Sequence, residues 1–510
     1  MPDKVLNNKR IAKNTLLLYG RMFIMMLLYL FTSRVVLKSL GVIDYGIYSA
    51  VGGIIAMFML VSSALSNAIM RYITYELGKN DIIRLQKVFS VSLNVMIIIS
   101  CIIIILGETV GSIFLNYKMN IPSERIVAAN WVLQFTLFTF VANLISIPYT
   151  SSIIAHEKMD FYAFVSVLDA LLKLIVAFLL YYVLYDRLIV YAILFFIVAL
   201  IIRFVSAIYC KKKFEECNYL LVVDKHLFKS IFSFAGWNFL GQGAYLLNSY
   251  GVDLLMNLFF GVKLNAARGI ANQVNIAIGQ FANNFRTAIN PQITKSYAVR
   301  DLEYMHSLIF VGAKFSFFLM LMFVVPIGLE TKAILKLWLG EVPEYTIMFV
   351  RLTLISVLIN TINGTLITGL HASGKLKNYQ IVVGSIEVQV FFLTYFAYRM
   401  GFRPEIAYII NIVIYLFLNF VRLYMIKDLI GLSGKDYIKK VFFRIALVTV
   451  SSIVLPFILY YKMEPSTLRF ILIWIIGFIV IIISVYLIGL SKFEKEYLIS
   501  WIKKRISTLW

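Results

Sequence analysis

The chain has 510 residues, 61% of them hydrophobic and 15% charged, and its mean hydropathy is +0.86. These values exclude a soluble globular protein, and the apolar segments are too long and too even for outer-membrane strands, so the class is a polytopic all-α integral membrane protein. The net charge of +22 is not read as a nucleic-acid signature, because the lysines and arginines lie in short loops between hydrophobic spans, where they set orientation.

The N-terminus MPDKVLNNKRIAKN is basic and leads into an apolar run from Thr15 to Leu37. That run is too long for a signal-peptide core and lacks a small-residue cleavage site, so it reads as an uncleaved first span. Windows of about 20 apolar residues predict fourteen transmembrane helices, at 15–38, 45–68, 88–110, 127–149, 162–184, 188–209, 231–259, 268–292, 308–329, 347–370, 379–400, 404–426, 441–461 and 468–489. The side that holds the N-tail and the C-tail from Lys492 to Arg505 carries about 27 Lys and Arg against about 12 on the other, which places both termini in the cytoplasm. The longest connections, RYITYELGKNDIIRLQK and KKKFEECNYLLVVDKHLFK, read as topogenic basic loops, with surface helices on anionic membrane lipid as the alternative. None is long enough for a soluble catalytic domain.

Segments recur at an offset of about 220 residues. GVIDYGIY from Gly41 aligns with GVKLNAAR from Gly261, YIT at 72–74 with QIT at 292–294, and LGETV near Gly107 with IGLETKAI near Gly328. Helices one to six are therefore expected to be duplicated as seven to twelve. Six is even, so both copies enter from the same side, and the two parallel six-helix lobes are expected to enclose a passage. The expected division is 1–220 for the first lobe, 221–430 for the second, and 431–510 for two extra helices with a basic cytoplasmic tail.

The most informative stretch runs from Asn265 to Ser296. At alternating steps of three and four it presents Arg268, Asn272, Asn275, Gly279, Asn283, Arg286 and Asn290, a polar stripe on one helix face. The two arginines are about 27 Å apart along the axis, close to the thickness of a bilayer core. The preceding span carries a second stripe, Asn238, Gln242, Tyr245, Ser249, Asp253 and Asn257. Side chains of this kind are costly against lipid, so they are expected to line the passage, inter-helix hydrogen bonding being the alternative. The equivalent positions in the second span, Gly52, Ile55, Met59, Ser63 and Ser66, are less polar.

Ionisable residues within spans are functional candidates. Arg34, Arg203, Arg351, Arg422 and Arg444 lie near span ends and are expected to snorkel. Asp169 and Lys173, four apart, are expected to pair. Arg21, Arg286 and Lys314, with Arg268 at the outer end, leave a cationic excess suited to an anion, and arginine holds phosphate through paired hydrogen bonds without deprotonating. Asp253 and Glu387 are candidate ion-coupling sites, since burial raises carboxyl pKa values. His156, His226, His306 and His371 and the three cysteines show no metal spacing, and there is no P-loop. No catalytic residue, metal or cofactor is assigned, and energy is left to an ion gradient, a partner or the substrate gradient.

The run Gly251 to Ala298, above all NAARGIANQVN and NPQITKSYA, together with the first two spans from KNTLLLYGRMFIMMLL to VGGI, resembles polysaccharide repeat-unit flippases of the Wzx type. These belong to the multidrug/oligosaccharidyl-lipid/polysaccharide exporter superfamily. The resemblance implies a two-lobed, MATE-like transporter, not an enzyme, in a bacterial cytoplasmic (inner) membrane. It implies movement of undecaprenyl-pyrophosphate-linked oligosaccharide from the cytoplasmic to the outer leaflet by alternating access, for O-antigen, capsule or related glycan assembly. Expected partners are that lipid, H+ or Na+ as coupling ion, and polysaccharide polymerase machinery. Cationic cavity residues are implied at Arg21, Arg268, Arg286 and Lys314. Sugars would need partners such as Asn272, Asn275, Asn283, Asn290, Gln242 and Tyr245. The rivals are a drug or metabolite exporter, a peptidoglycan-precursor flippase, and a membrane glycan polymerase or ligase.

Overall fold

The computed structural model describes residues 2–56, 58–117, 121–222, 224–491 and 494–496. The expected basic tail from Lys492 to Arg505 lies outside the described residues except at 494–496. Helices account for nearly all of the described chain, with no strand among those residues. Among the described residues, eleven helices are long and apolar enough to cross a membrane. The other three expected spans are helical too: 45–68 falls on Pro2–Ala56 and Met59–Lys79, 231–259 on Lys225–Leu246 and Val252–Phe260, and 268–292 on Val262–Ala298. The last two have the length of a span and are less apolar because the polar stripes run through them.

Two glycines give the repeat a backbone signature. Gly41 breaks the first long helix with φ 78° and ψ 170°, and Gly261 separates the seventh span from the eighth with φ 81° and ψ 179°. That region of backbone space is open essentially to glycine alone. The GV pairs at 41 and 261 therefore mark the same chain break in both copies.

By packing, the chain divides into two compact units, Met1–Gly243 with Asn290–Asp301, and Ala244–Ile289 with Leu302–Trp510. In the first, Ile126–Ala155 packs along Arg187–Lys213, and Pro2–Ala56 along Met159–Leu179. Their core includes Val35, Val36, Leu40, Val176, Ala177, Leu180, Tyr191 and Val198, with Tyr48 and Phe195 against it. Tyr48 meets Tyr191 edge to face at 4.9 Å, and Tyr191 lies 4.5 Å from Phe195, spacings at which ring pairs add to simple burial.

Charge fastens both ends of this unit. Arg125 grips Asp44 through Nε (2.9 Å) and Nη2 (2.6 Å) and Asp186 through Nη1 (2.6 Å), tying three connections to one guanidinium. At the other end the fully buried Glu157 carboxylate accepts from Gln292 (2.7 Å) and Lys295 (2.7 Å) and pairs with Arg10 at 3.3 Å. There the helix ends come so close that a Cβ on Gly78 would lie 2.9 Å from Lys295 Cα and 3.0 Å from Ala298 Cβ. Gly78 and Ala298 are themselves 220 positions apart, so equivalent ends of the two copies touch each other.

The second unit is built around Leu302–Leu329, which packs on Thr346–Thr361, Gly364–Ser373 and the final helices Phe443–Lys462 and Thr467–Ser484. Arg469 donates to Glu330 at 2.7 Å and 3.1 Å, pinning the last helix to the end of the central one.

Candidate functional site

A cavity of about 110 Å³ opens inside the second unit. Both predicted stripes reach it. Tyr245 and Ser249 come from the seventh span and Arg268, Asn272 and Asn275 from the eighth; Thr353, Ser356 and Asn360 face them from the tenth, and Tyr408, Asn411 and Tyr415 from the twelfth. The seventh span also contributes Asn248, through a π-helical turn at Leu247–Gly251. Such a turn inserts an extra residue into the helical repeat, so Asn248 and Ser249 both face the cavity where a regular helix would offer one of them. Gly251 closes this turn under the Phe391 ring, 2.7 Å from where a Cβ would stand.

The charge in this cavity is already balanced. Arg268 is paired through Nε with Asp253 and donates from Nη2 to the Ser249 carbonyl at 3.0 Å. Its guanidinium also lies over the Tyr408 ring at 5.5 Å. No carboxylate lines the cavity among the described residues. The amides are different. Asn272, Asn275, Asn360 and Asn411 make no side-chain hydrogen bond to any other described residue.

Farther along Val262–Ala298, Arg286 donates from Nη2 to Asn283 Oδ1. It lies so close against Gly364 that a Cβ there would collide with its Nη1 and Cδ. Among the described residues it forms no ion pair. The two acids that could have neutralised it are taken elsewhere, Asp253 by Arg268 and Glu387 by Arg422 at 2.6 Å. Arg422 thus departs from the expectation of snorkelling, since its side chain is 7% exposed. Glu387 offers Arg422 a better partner than the membrane edge would.

The remaining candidates are dispersed. Lys314 is buried, bonded to Glu494 at 2.8 Å and to the Gly489 carbonyl at 3.3 Å, apart from the residues that line the cavity. Arg21, Gln242 and Asn290 belong to the first unit. Arg21 lies over the Tyr162 ring at 4.6 Å with its buried Nε unsatisfied, and Gln242 is bonded to Ser63. Asp169 and Lys173 pair at 2.7 Å, as their spacing implies.

A family model described as MatE matches residues 20–179. Solved structures match over far more of the chain. One is a MATE protein in the straight conformation, at TM-score 0.70 and 14% identity, covering 83% of this chain and 97% of that one. The fold is that of MATE transporters. A multidrug resistance MATE family transporter of the MOP superfamily in an outward-facing conformation matches at TM-score 0.71 and 14% identity, with 83% and 96% covered. A MOP superfamily transporter from Pyrococcus furiosus, described as having a binding pocket of reverse polarity, matches at 0.72 and 14% over the same shares. No curated protein matches the chain. At these identities the MATE fold is shared, and the residues that would bind a substrate must be judged on this chain's own chemistry.

Proposed function

We propose that this protein is a flippase that moves an undecaprenyl-pyrophosphate-linked oligosaccharide from the cytoplasmic to the outer leaflet by alternating access, for O-antigen, capsule or related glycan assembly. The observation that carries the reading is Arg286, a cation without a carboxylate partner among the described residues, on the same helix as an amide-lined cavity. A pyrophosphate needs such a guanidinium. A glycan needs neutral groups that both donate and accept, and amides do both. The polyprenyl tail needs only lipid. A drug exporter taking cations would need a free acid at its site, and the cavity lining here has none among the described residues.

The test is leaflet assignment of a fluorescent lipid-linked oligosaccharide in proteoliposomes. Wild-type protein should move it, Arg286→Lys should retain part of the rate, and Arg286→Ala should lose about 100-fold, the scale of a lost charge-assisted contact of about 3 kcal/mol. Equal rates for all three proteins would remove the phosphate role. Export of free cationic drugs with no lipid movement would transfer the assignment to a multidrug exporter.

A further inference from the structure

Four asparagine amides line one cavity with no hydrogen-bond partner among the described residues; Asn272 is exposed and Asn275, Asn360 and Asn411 are partly exposed, so their donors and acceptors are open to a ligand. Asn272, Asn275, Asn360 and Asn411 come from three different helices and line the same space. Each offers one acceptor and two donor hydrogens, the two-way hydrogen bonding that a sugar hydroxyl requires. The cavity, about 110 Å³, is of the order of cavities that admit a six-membered ring, roughly 150 Å³.

The aromatic lining narrows the choice further. Tyr408 is covered by Arg268 and Tyr415 by Arg422, each guanidinium 5.5 Å from the ring centroid. Tyr415 also accepts from Asn248 at 3.4 Å. Tyr245 is 50% exposed, and its ring packs on no other described aromatic side chain, so its face is free for the apolar face of a pyranose. The Arg268–Asp253 pair removes net charge from the wall. A uronic acid would meet a cation already held by a carboxylate, and an amino sugar would meet that same cation with no carboxylate among the described lining residues to receive it.

We infer that this cavity seats a single uncharged pyranose of the transported glycan, stacked on Tyr245 and held by the four asparagines, and that the Arg268–Asp253 pair excludes charged sugars from that position. The assignment rests on the flippase reading for its substrate and adds a rule for which sugars the seat accepts.

The experiment measures binding of methyl glycosides to the full-length protein in nanodiscs. The panel holds neutral hexosides, 6-deoxyhexosides and N-acetylhexosaminides, with methyl glucuronide and methyl glucosaminide as the acidic and amino probes. At least one neutral glycoside should bind saturably, and the charged probes about tenfold or more weakly, since each factor of ten is about 1.4 kcal/mol. Tyr245→Ala should weaken the neutral glycoside about tenfold, and Tyr245→Phe should stay within about threefold, because the ring face survives. Asp253→Asn frees Arg268 and should reverse the preference towards methyl glucuronide. Monodispersity of each variant separates lost binding from lost folding.

No saturable binding by any neutral glycoside overturns the seat, as does a charged probe that binds wild type as well as the neutral ones. The lipid-movement assay, run on the same proteins, keeps the two readings apart. Lipid movement without glycoside binding, with Tyr245→Ala moving lipid at the wild-type rate, removes the seat and keeps the flippase. Glycoside binding without lipid movement keeps the seat and removes the flippase.

Discussion

The two copies of the repeat use equivalent positions in opposite ways. At the shared offset of about 220 residues, Tyr48 corresponds to Arg268, Tyr191 to Asn411 and Phe195 to Tyr415. In the first unit those positions form a closed ring cluster, Tyr48 on Tyr191 on Phe195. In the second they are an ion-paired arginine, an amide without a partner among the described residues and a tyrosine around open space. Asp44, just past the Gly41 break, is locked to Arg125, whereas the chain past Gly261 leads into the Arg268 stripe. One scaffold thus serves packing in one copy and lines a cavity in the other. A duplicated fold can keep its chain break while redistributing polarity, because the break depends on backbone and the cavity depends only on side chains.

The largest contrast should come from exchanging burial against vacancy. Tyr191 is 4% exposed, and Tyr191→Ala should cost about 3–5 kcal/mol, as aromatic truncations in a packed core do. Asn411→Leu, at the equivalent place, removes an unpartnered amide and should leave stability unchanged within about 0.5 kcal/mol or raise it, while lipid-linked glycan transport falls. Thermal unfolding in detergent, together with the leaflet assay, checks both. A destabilised Asn411→Leu would mean that the second copy is packed as the first is, and the comparison would break.

A smaller and equal effect is expected where the copies agree. Beyond the adjoining chain, no atom of the described residues lies within 4 Å of a Cβ added at Gly41 or Gly261, so alanine at either position meets chiefly backbone strain, about 1–3 kcal/mol. Matching losses of thermal stability in Gly41→Ala and Gly261→Ala would sharpen the case that the break is one inherited feature. Tolerance at one position alone would separate them.

How much of this was legible beforehand follows from distance along the chain. The Asn272, Asn275, Tyr245 and Ser249 faces were legible because helical periodicity repeats within a dozen residues. The Asp169–Lys173 pair was legible at a spacing of four. Asn360, Asn411, Tyr408 and Tyr415 were not: Asn360 follows Thr353 and Ser356, and Tyr408, Asn411 and Tyr415 follow one another, at the same steps of three and four, but these short stripes lie in spans apolar enough to read as plain membrane helices, and only tertiary packing turns them to the same space. Asn248 escaped because the π-helical turn shifts the phase that a regular helix assumes. Glu387 and Arg422 are 35 residues apart, and Lys314 and Glu494 are 180 apart. No local pattern links such pairs, so Arg422 read as an edge residue and Lys314 as a cavity residue.

The finest difference between the copies is the charge clamp, found at Arg125 in the first. Burial alone would push the Asp186 carboxyl up, but the Arg125 guanidinium and the Ile189 and Leu188 amides outweigh it and hold the carboxyl below the usual carboxylate range. Its stabilising contribution is therefore complete above the unfolded value of about 3.9 and is lost only as pH falls through the lower folded value. Wild-type thermal stability should then show no loss from this group between pH 7 and pH 5. Arg125→Gln removes the cation and leaves Asp44 and Asp186, which both contacted its Nη2 at 2.6 Å and 3.2 Å, facing each other. With Asp186 then raised instead of lowered, the folded state binds the proton more tightly than the unfolded one, so the variant should gain stability as pH falls from 7 to 5. At pH 7 the variant should lose about 1 kcal/mol, because the three side chains are 19–29% exposed and solvent screens them. Thermal midpoints of both proteins at the two pH values read the difference in slope directly. Parallel midpoints for wild type and Arg125→Gln would show that the ring cluster, without the clamp, holds these connections of the first copy.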